Sequence, residues 1–85
     1  MFSQSKIDSL KQVVNTTKND SIKIDTYIKL CIQYARTDAN ISLDYAVKAE
    51  ALSLKNGFEL RTANAKYRKG SILRDLWQYS KSILL

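Results

Sequence analysis

Residues 40–58 read NISLDYAVKAEALSLKNGF, and the fold of the chain turns on this stretch. Ser42, Ala46, Ala49 and Ser53 recur at spacings of four, three and four, so on a helix they line one side. Leu43, Val47, Leu52 and Leu54 flank that side. A stripe of Ser and Ala between larger apolar neighbours lets a second helix approach closely, as stacked helical hairpins require. The stretch also carries its own punctuation. Asp38 or Asn40 caps its start, Lys55 complements the dipole of its last turn, and Gly57 takes the left-handed conformation that closes it. Phe58 then contacts Leu52 or Ser53.

The remainder supplies partners for this helix. Ile7, Leu10, Val13 and Val14 mark a first helix over residues 3–16, capped by Ser3 or Ser5. A polar linker follows. A second helix over residues 21–36 is capped by Asp20 or Ser21 and carries Ile24, Tyr27, Ile28, Cys31, Tyr34 and Ala35 at helical spacing. Leu30 and Ile32 widen its apolar face, which implies burial on two sides. Residues 37–40 are too few for anything but an antiparallel return. After Gly57 a fourth helix runs to Leu76, with Ala63, Tyr67 and Gly70 on one side. Gly70 inside a helix costs about 1 kcal/mol against Ala, and close packing of a neighbour on its bare backbone is the expected compensation. Trp77 and Gln78 read as a turn before a short fifth helix over residues 79–85. There is no Pro and no hairpin dipeptide, so the fold class is all-α, with antiparallel helical hairpins and about five helices.

Eighty-five residues make one domain with a modest core. The formal charge of +6 is uneven. Residues 57–85 hold six basic and two acidic side chains, against eight and six in residues 1–56. The lone Cys31 forms no internal disulfide and reads as a small buried residue. With no His in the chain, neither a Cys/His metal set nor a cofactor is expected. No apolar run approaches the roughly 20 residues of a membrane span, so no membrane partner is expected. Residues 1–9 lack the order of a signal peptide, which implies a cytoplasmic protein, or an extracytoplasmic one if a leader has been removed.

Two helix pairs with small residues at their crossings resemble the tetratricopeptide repeats, most closely the longer-period version common in bacterial signalling proteins. Leu30, Cys31 and Tyr34 match the Leu–small–Tyr positions of a first helix A. Ser42, Tyr45, Ala46 and Ala49 match the small–aromatic–small pattern of helix B. Gly70 takes the small position of the second helix A, and residues 78–83 resemble the entry to its helix B. Cys31 to Gly70 is 39 residues and Ser42 to Ser82 is 40, beyond the roughly 34 of the basic repeat. The resemblance divides a single domain into a lead-in helix and linker (3–19), a first repeat (20–58) and a truncated second repeat (59–85). Lys66, Lys69 and Trp77 depart from its pattern.

The resemblance implies a non-catalytic protein-interaction module, part of a regulatory scaffold, whose concave face is lined by helix A side chains. Those are Lys29, Ile32, Gln33 and Arg36 in the first repeat. In the second they are Asn64, Tyr67, Arg68, Ser71 and Arg74. Such a basic groove suits an acidic or amphipathic peptide. Tyr34 and Gly57 join Cys31, Ser42, Ala46, Ala49 and Gly70 as packing positions. Two alternatives stand beside this one. Lys66, Arg68, Lys69, Arg74 and Lys81, interleaved with Tyr67, Trp77 and Tyr79, would suit nucleic acid. The apolar residues 82–85 and the outer face of the fourth helix would suit self-association into a homo-oligomer. The scattered carboxylates form no nucleophile–base pair, so no enzyme is expected.

Overall fold

A computed structural model describes the backbone of residues 2–84 and the side chains of residues 6–78. Among these residues the chain is helical throughout, with α1 Phe2–Thr16, α2 Asp20–Tyr34, α3 Ala39–Asn56 and α4 Glu59–Leu84. Each helix folds back on the one before it. The pairings Cys31 with Ser42 and Asp20 with Asn56 set α2 and α3 antiparallel. Ala49 packs with Ala65 and Ala46 with Ile72, which sets α3 and α4 antiparallel as well. α4 therefore runs parallel to α2, and α1 packs on α2 without touching α4. The result is a slab with Cα extents of 47 × 33 × 14 Å. Its surface is 6136 Å², against roughly 5,100 Å² for a compact monomer of this mass.

Capping residues set the helix boundaries. Asn19, not Asp20 or Ser21, caps α2: its Oδ1 accepts the Ile22 N–H at 3.1 Å. Asn is among the best residues for that position, and Asp20 moves into the first turn, where its charge suits the helix dipole. Asp38 caps α3 by accepting from the Ile41 N–H at 3.1 Å. At the other end Gly57 has φ 70°. Its N–H bonds the Leu54 carbonyl, and the Phe58 N–H reaches back to Ser53 at 3.0 Å. This paired closure is the Schellman arrangement, which a left-handed glycine makes accessible. Phe58 and Leu52 then pack on the same buried cluster.

Two small clusters form the core, both spanning α2, α3 and α4. One gathers Ile24, Ile28, Ala49 and Ala65, and the other Cys31, Ala46 and Ile72. The stripe of α3 meets its expectation, since Ser42, Ala46, Ala49 and Ser53 are all 0% exposed. Its two serines fare differently. Ala35 turns its N–H to the Ile32 carbonyl, so the carbonyl of Cys31 is left to another donor. The Ser42 hydroxyl supplies it at 2.6 Å, with the Cys31 Sγ 3.3 Å from the same oxygen. The Ser53 hydroxyl has no hydrogen-bond partner among the described residues. Beside this crossing Tyr34 stacks on Tyr45 at 5.9 Å between centroids, and Tyr27 tilts against Tyr45 at 6.0 Å.

Three expectations are corrected. α1 begins at Phe2, ahead of both Ser3 and Ser5, so neither caps it. Trp77 and Gln78 are no turn: α4 continues through them to Leu84, and there is no separate fifth helix among the described residues. Residues 71–84 hold no Gly, Pro or Asn, and the single aromatic that suggested a break is tolerated in a helix interior. Gly70 receives no neighbouring helix. It is exposed, and a Cβ added there would meet nothing within 4 Å. The expected self-association through residues 82–85 concerns side chains outside the described residues.

Two sets of substitutions test this packing. Ala46→Leu or Ala49→Leu should overpack the crossing and lower stability by about 1–3 kcal/mol in urea unfolding. Ser42→Ala strips the buried Cys31 carbonyl of its donor and should cost about 1–3 kcal/mol, whereas Ser53→Ala should be neutral or stabilising. Equal losses at the two serines would contradict the hydrogen-bond assignment.

Candidate functional site

Of the nine side chains assigned to a concave face, eight lie on α2 and α4, which run side by side with α3 behind them, and Arg36 lies in the turn that follows α2. Near their N-terminal ends the two helices are tied by Arg61, whose Nε donates to Asp25 Oδ1 at 3.0 Å and whose Nη2 donates to Oδ2 at 3.2 Å. The hydrogen bond to Asp25, followed by its charge, pushes the Arg61 pKa up. Lys69 pairs with Glu50 and ties α4 to α3. That pairing accounts for a half-buried lysine on this side of α4: its ammonium reaches the acid of the neighbouring helix.

Further along, a groove lies between α2 and α4. Ile32, Arg68 and Ser71 line a cleft of about 100 Å³ together with Ile72 and Asp75. It adjoins a wider one of about 530 Å³ bounded by Arg36, residues 37–40, Asp75 and Leu76. Ile32 is 44% exposed there, an aliphatic surface with no partner helix over it. Arg68 is the most constrained group of the set. Its Nε is buried and makes no hydrogen bond among the described residues, while its guanidinium carbon lies 5.8 Å from the Tyr67 ring centroid.

The structure thus brings Ile32, Arg36, Arg68 and Ser71 together. Lys29, Gln33, Asn64, Tyr67 and Arg74 line neither cleft. Lys29, Asn64, Tyr67 and Arg74 are exposed and Gln33 is half-buried. Asp75 was missed, although it lines both clefts. The signal was available, because seven residues separate it from Arg68 and place both on one helix side. The groove is therefore mixed in charge. No group of His, Cys, Asp and Glu among the described residues could hold a metal, and no helix of the structure is long and apolar enough to cross a membrane. Set against known proteins, the chain matches no family model, no curated protein and no solved structure.

An arginine whose Nε is desolvated without a partner contributes little to folding beyond the packing of its stem. Arg68→Met should therefore leave the thermal midpoint unchanged or raise it. A fall of several degrees would make Arg68 a structural residue and remove it from the site.

Proposed function

We propose that the protein is a non-catalytic interaction module of the tetratricopeptide kind, which takes an acidic or amphipathic peptide segment into the groove between α2 and α4. The order of the hairpins supports the repeat reading: α2 and α4 lie parallel, with α3 packed against both through its small-residue face. The observation that carries the binding reading is Arg68, a guanidinium with no hydrogen bond among the described residues at the wall of an open cleft. Its Nε is sealed from any ligand, but a carboxylate entering the cleft would accept charge-assisted hydrogen bonds from the terminal nitrogens of the same group. Exposed Ile32 offers an apolar anchor beside it, and Arg36 a second cation at the wider end. Asp75 opposes an acidic ligand and so limits how much negative charge the segment carries at that end.

The test is fluorescence anisotropy with a labelled Glu/Leu-rich amphipathic peptide. The pair Arg68→Glu and Arg36→Glu should weaken binding by about tenfold or more, the scale of an arginine anchor. Asp75→Asn should strengthen it. Affinity unchanged by both would refute the groove as the binding surface.

A further inference from the structure

Lysines from three helices converge on the side of α2 and α3 that faces α1. Lys11 of α1 and Lys48 of α3 line a cleft of about 310 Å³ with Asn15, Tyr27 and Tyr45. Lys23 of α2 and Lys55 of α3 line an adjoining one of about 350 Å³, to which Tyr27 and Lys48 also belong. Four cations and no carboxylate line these two clefts, whereas Asp75 lines both clefts of the α2–α4 groove. Lys48 shares its charge with Asp44 at 3.2 Å. Lys23 and Lys55 have no ion pair among the described residues. Lys23 also sits in the first turn of α2, where the helix dipole disfavours a cation.

Two of the four ammonium groups are held in place. Lys48 Nζ lies 5.4 Å from the Tyr45 ring centroid and Lys11 Nζ 5.7 Å from that of Tyr34. A hydrogen bond to Tyr34 pushes the Lys11 pKa up, and the nearby Asp8 carboxylate adds to it. Cations already positioned lose less entropy when a ligand arrives. The same contacts decide what the aromatic rings can do. Tyr45 is stacked by Tyr34, tilted against by Tyr27 and approached by Lys48, so it offers no free face to a base. What the surface presents is positive charge and polar groups, which suit phosphate oxygens.

Both clefts are open and share a wall, so a ligand that continues through them gains more than a small molecule lodged in one. Tyr45 and Lys55 are ten residues apart on α3, about 15 Å at 1.5 Å per residue, enough for a short run of backbone phosphates. A flexible strand can enter the clefts where a duplex would meet only their rims. We infer that this face binds the phosphate backbone of single-stranded nucleic acid, with no preference for base identity. It is separate from the α2–α4 groove and does not depend on the peptide reading.

Anisotropy of a labelled oligouridine at a series of salt concentrations tests this. Each phosphate neutralised on a single strand contributes about −0.7 to the slope of log K against log salt, so the four lysines set a slope of up to about −3. Lys23→Glu with Lys55→Glu should weaken binding at least tenfold. The milder pair Lys23→Gln and Lys55→Gln, chosen in case the reversal disturbs folding, should reduce the slope by about 1.4. Lys6→Glu with Lys18→Glu removes the same net charge outside these clefts and should change affinity less than twofold. An oligoadenosine of equal length should bind equally well. The inference is overturned if no salt-dependent complex forms, if the two reversals weaken binding alike, if a duplex binds more tightly than the single strand, or if phosphatidylserine vesicles bind and the oligonucleotide does not.

Discussion

The Ser42 hydroxyl joins α3 to α2 at the point where α2 has run out of its own hydrogen bonds. A helix ends with carbonyls that lack intrahelical donors, and burying one of them without a partner is costly. The Cys31 carbonyl is in that position, because Ala35 gives its N–H to Ile32. Ser42 satisfies it across the helix crossing, and both residues are almost fully buried there. The hydroxyl must come this close, so the neighbouring positions have to be small. Ala46 and Ala49 continue the same face, and α4 can then lay Ala65 and Ile72 against the two clusters. The position of α4 beside α2, and with it the groove, follows from a contact in which α4 has no part.

Electrostatics divides the surface in a related way. At least five of the eight carboxylates are occupied among the described residues. Asp38 caps α3, and Asp20 accepts from Asn56. Asp25, Asp44 and Glu50 pair with Arg61, Lys48 and Lys69. Part of the basic excess falls on two faces. On one, the α2–α4 groove, it is tempered by Asp75 and joined by exposed Ile32. On the other no carboxylate lines the clefts, and the lysines surround Tyr45, whose faces are taken. Surfaces so different in polarity suit different classes of ligand even in so small a chain.

Much of the architecture was legible in residues 40–58. Gly57 and Phe58 announce the end of α3 because that closure demands a left-handed residue, and the serine–alanine stripe announces the crossing. Other features were not legible for identifiable reasons. Trp77 suggested a break that helix-compatible neighbours on both sides override. Gly70 suggested a contact, and its cost of about 1 kcal/mol meets no compensating neighbour among the described residues. Asn19 was passed over because two other good caps follow it. The lysine clefts were the least accessible of all. Lys11 and Lys55 stand 44 positions apart, and only the folding back of three helices brings them to one face. Of the side chains taken from the resemblance, Ile32, Arg36, Arg68 and Ser71 line the α2–α4 groove and the rest do not, while Asp75, on the same side of α4 as Arg68, had been counted as an ordinary surface acid.

The thinness of the slab has a consequence for how the chain acquires its structure. Helices next to each other in the sequence are, with the lesser contact between α2 and α4, the helices that touch. Forming each hairpin closes only a short loop, so little chain entropy is lost before contacts begin to repay it. Such low contact order places the protein among the fast folders, on the microsecond-to-millisecond scale of small helical chains. Two thin layers of helix have no deep interior to be sealed last, and either the α2–α3 or the α3–α4 hairpin is a sufficient place to begin.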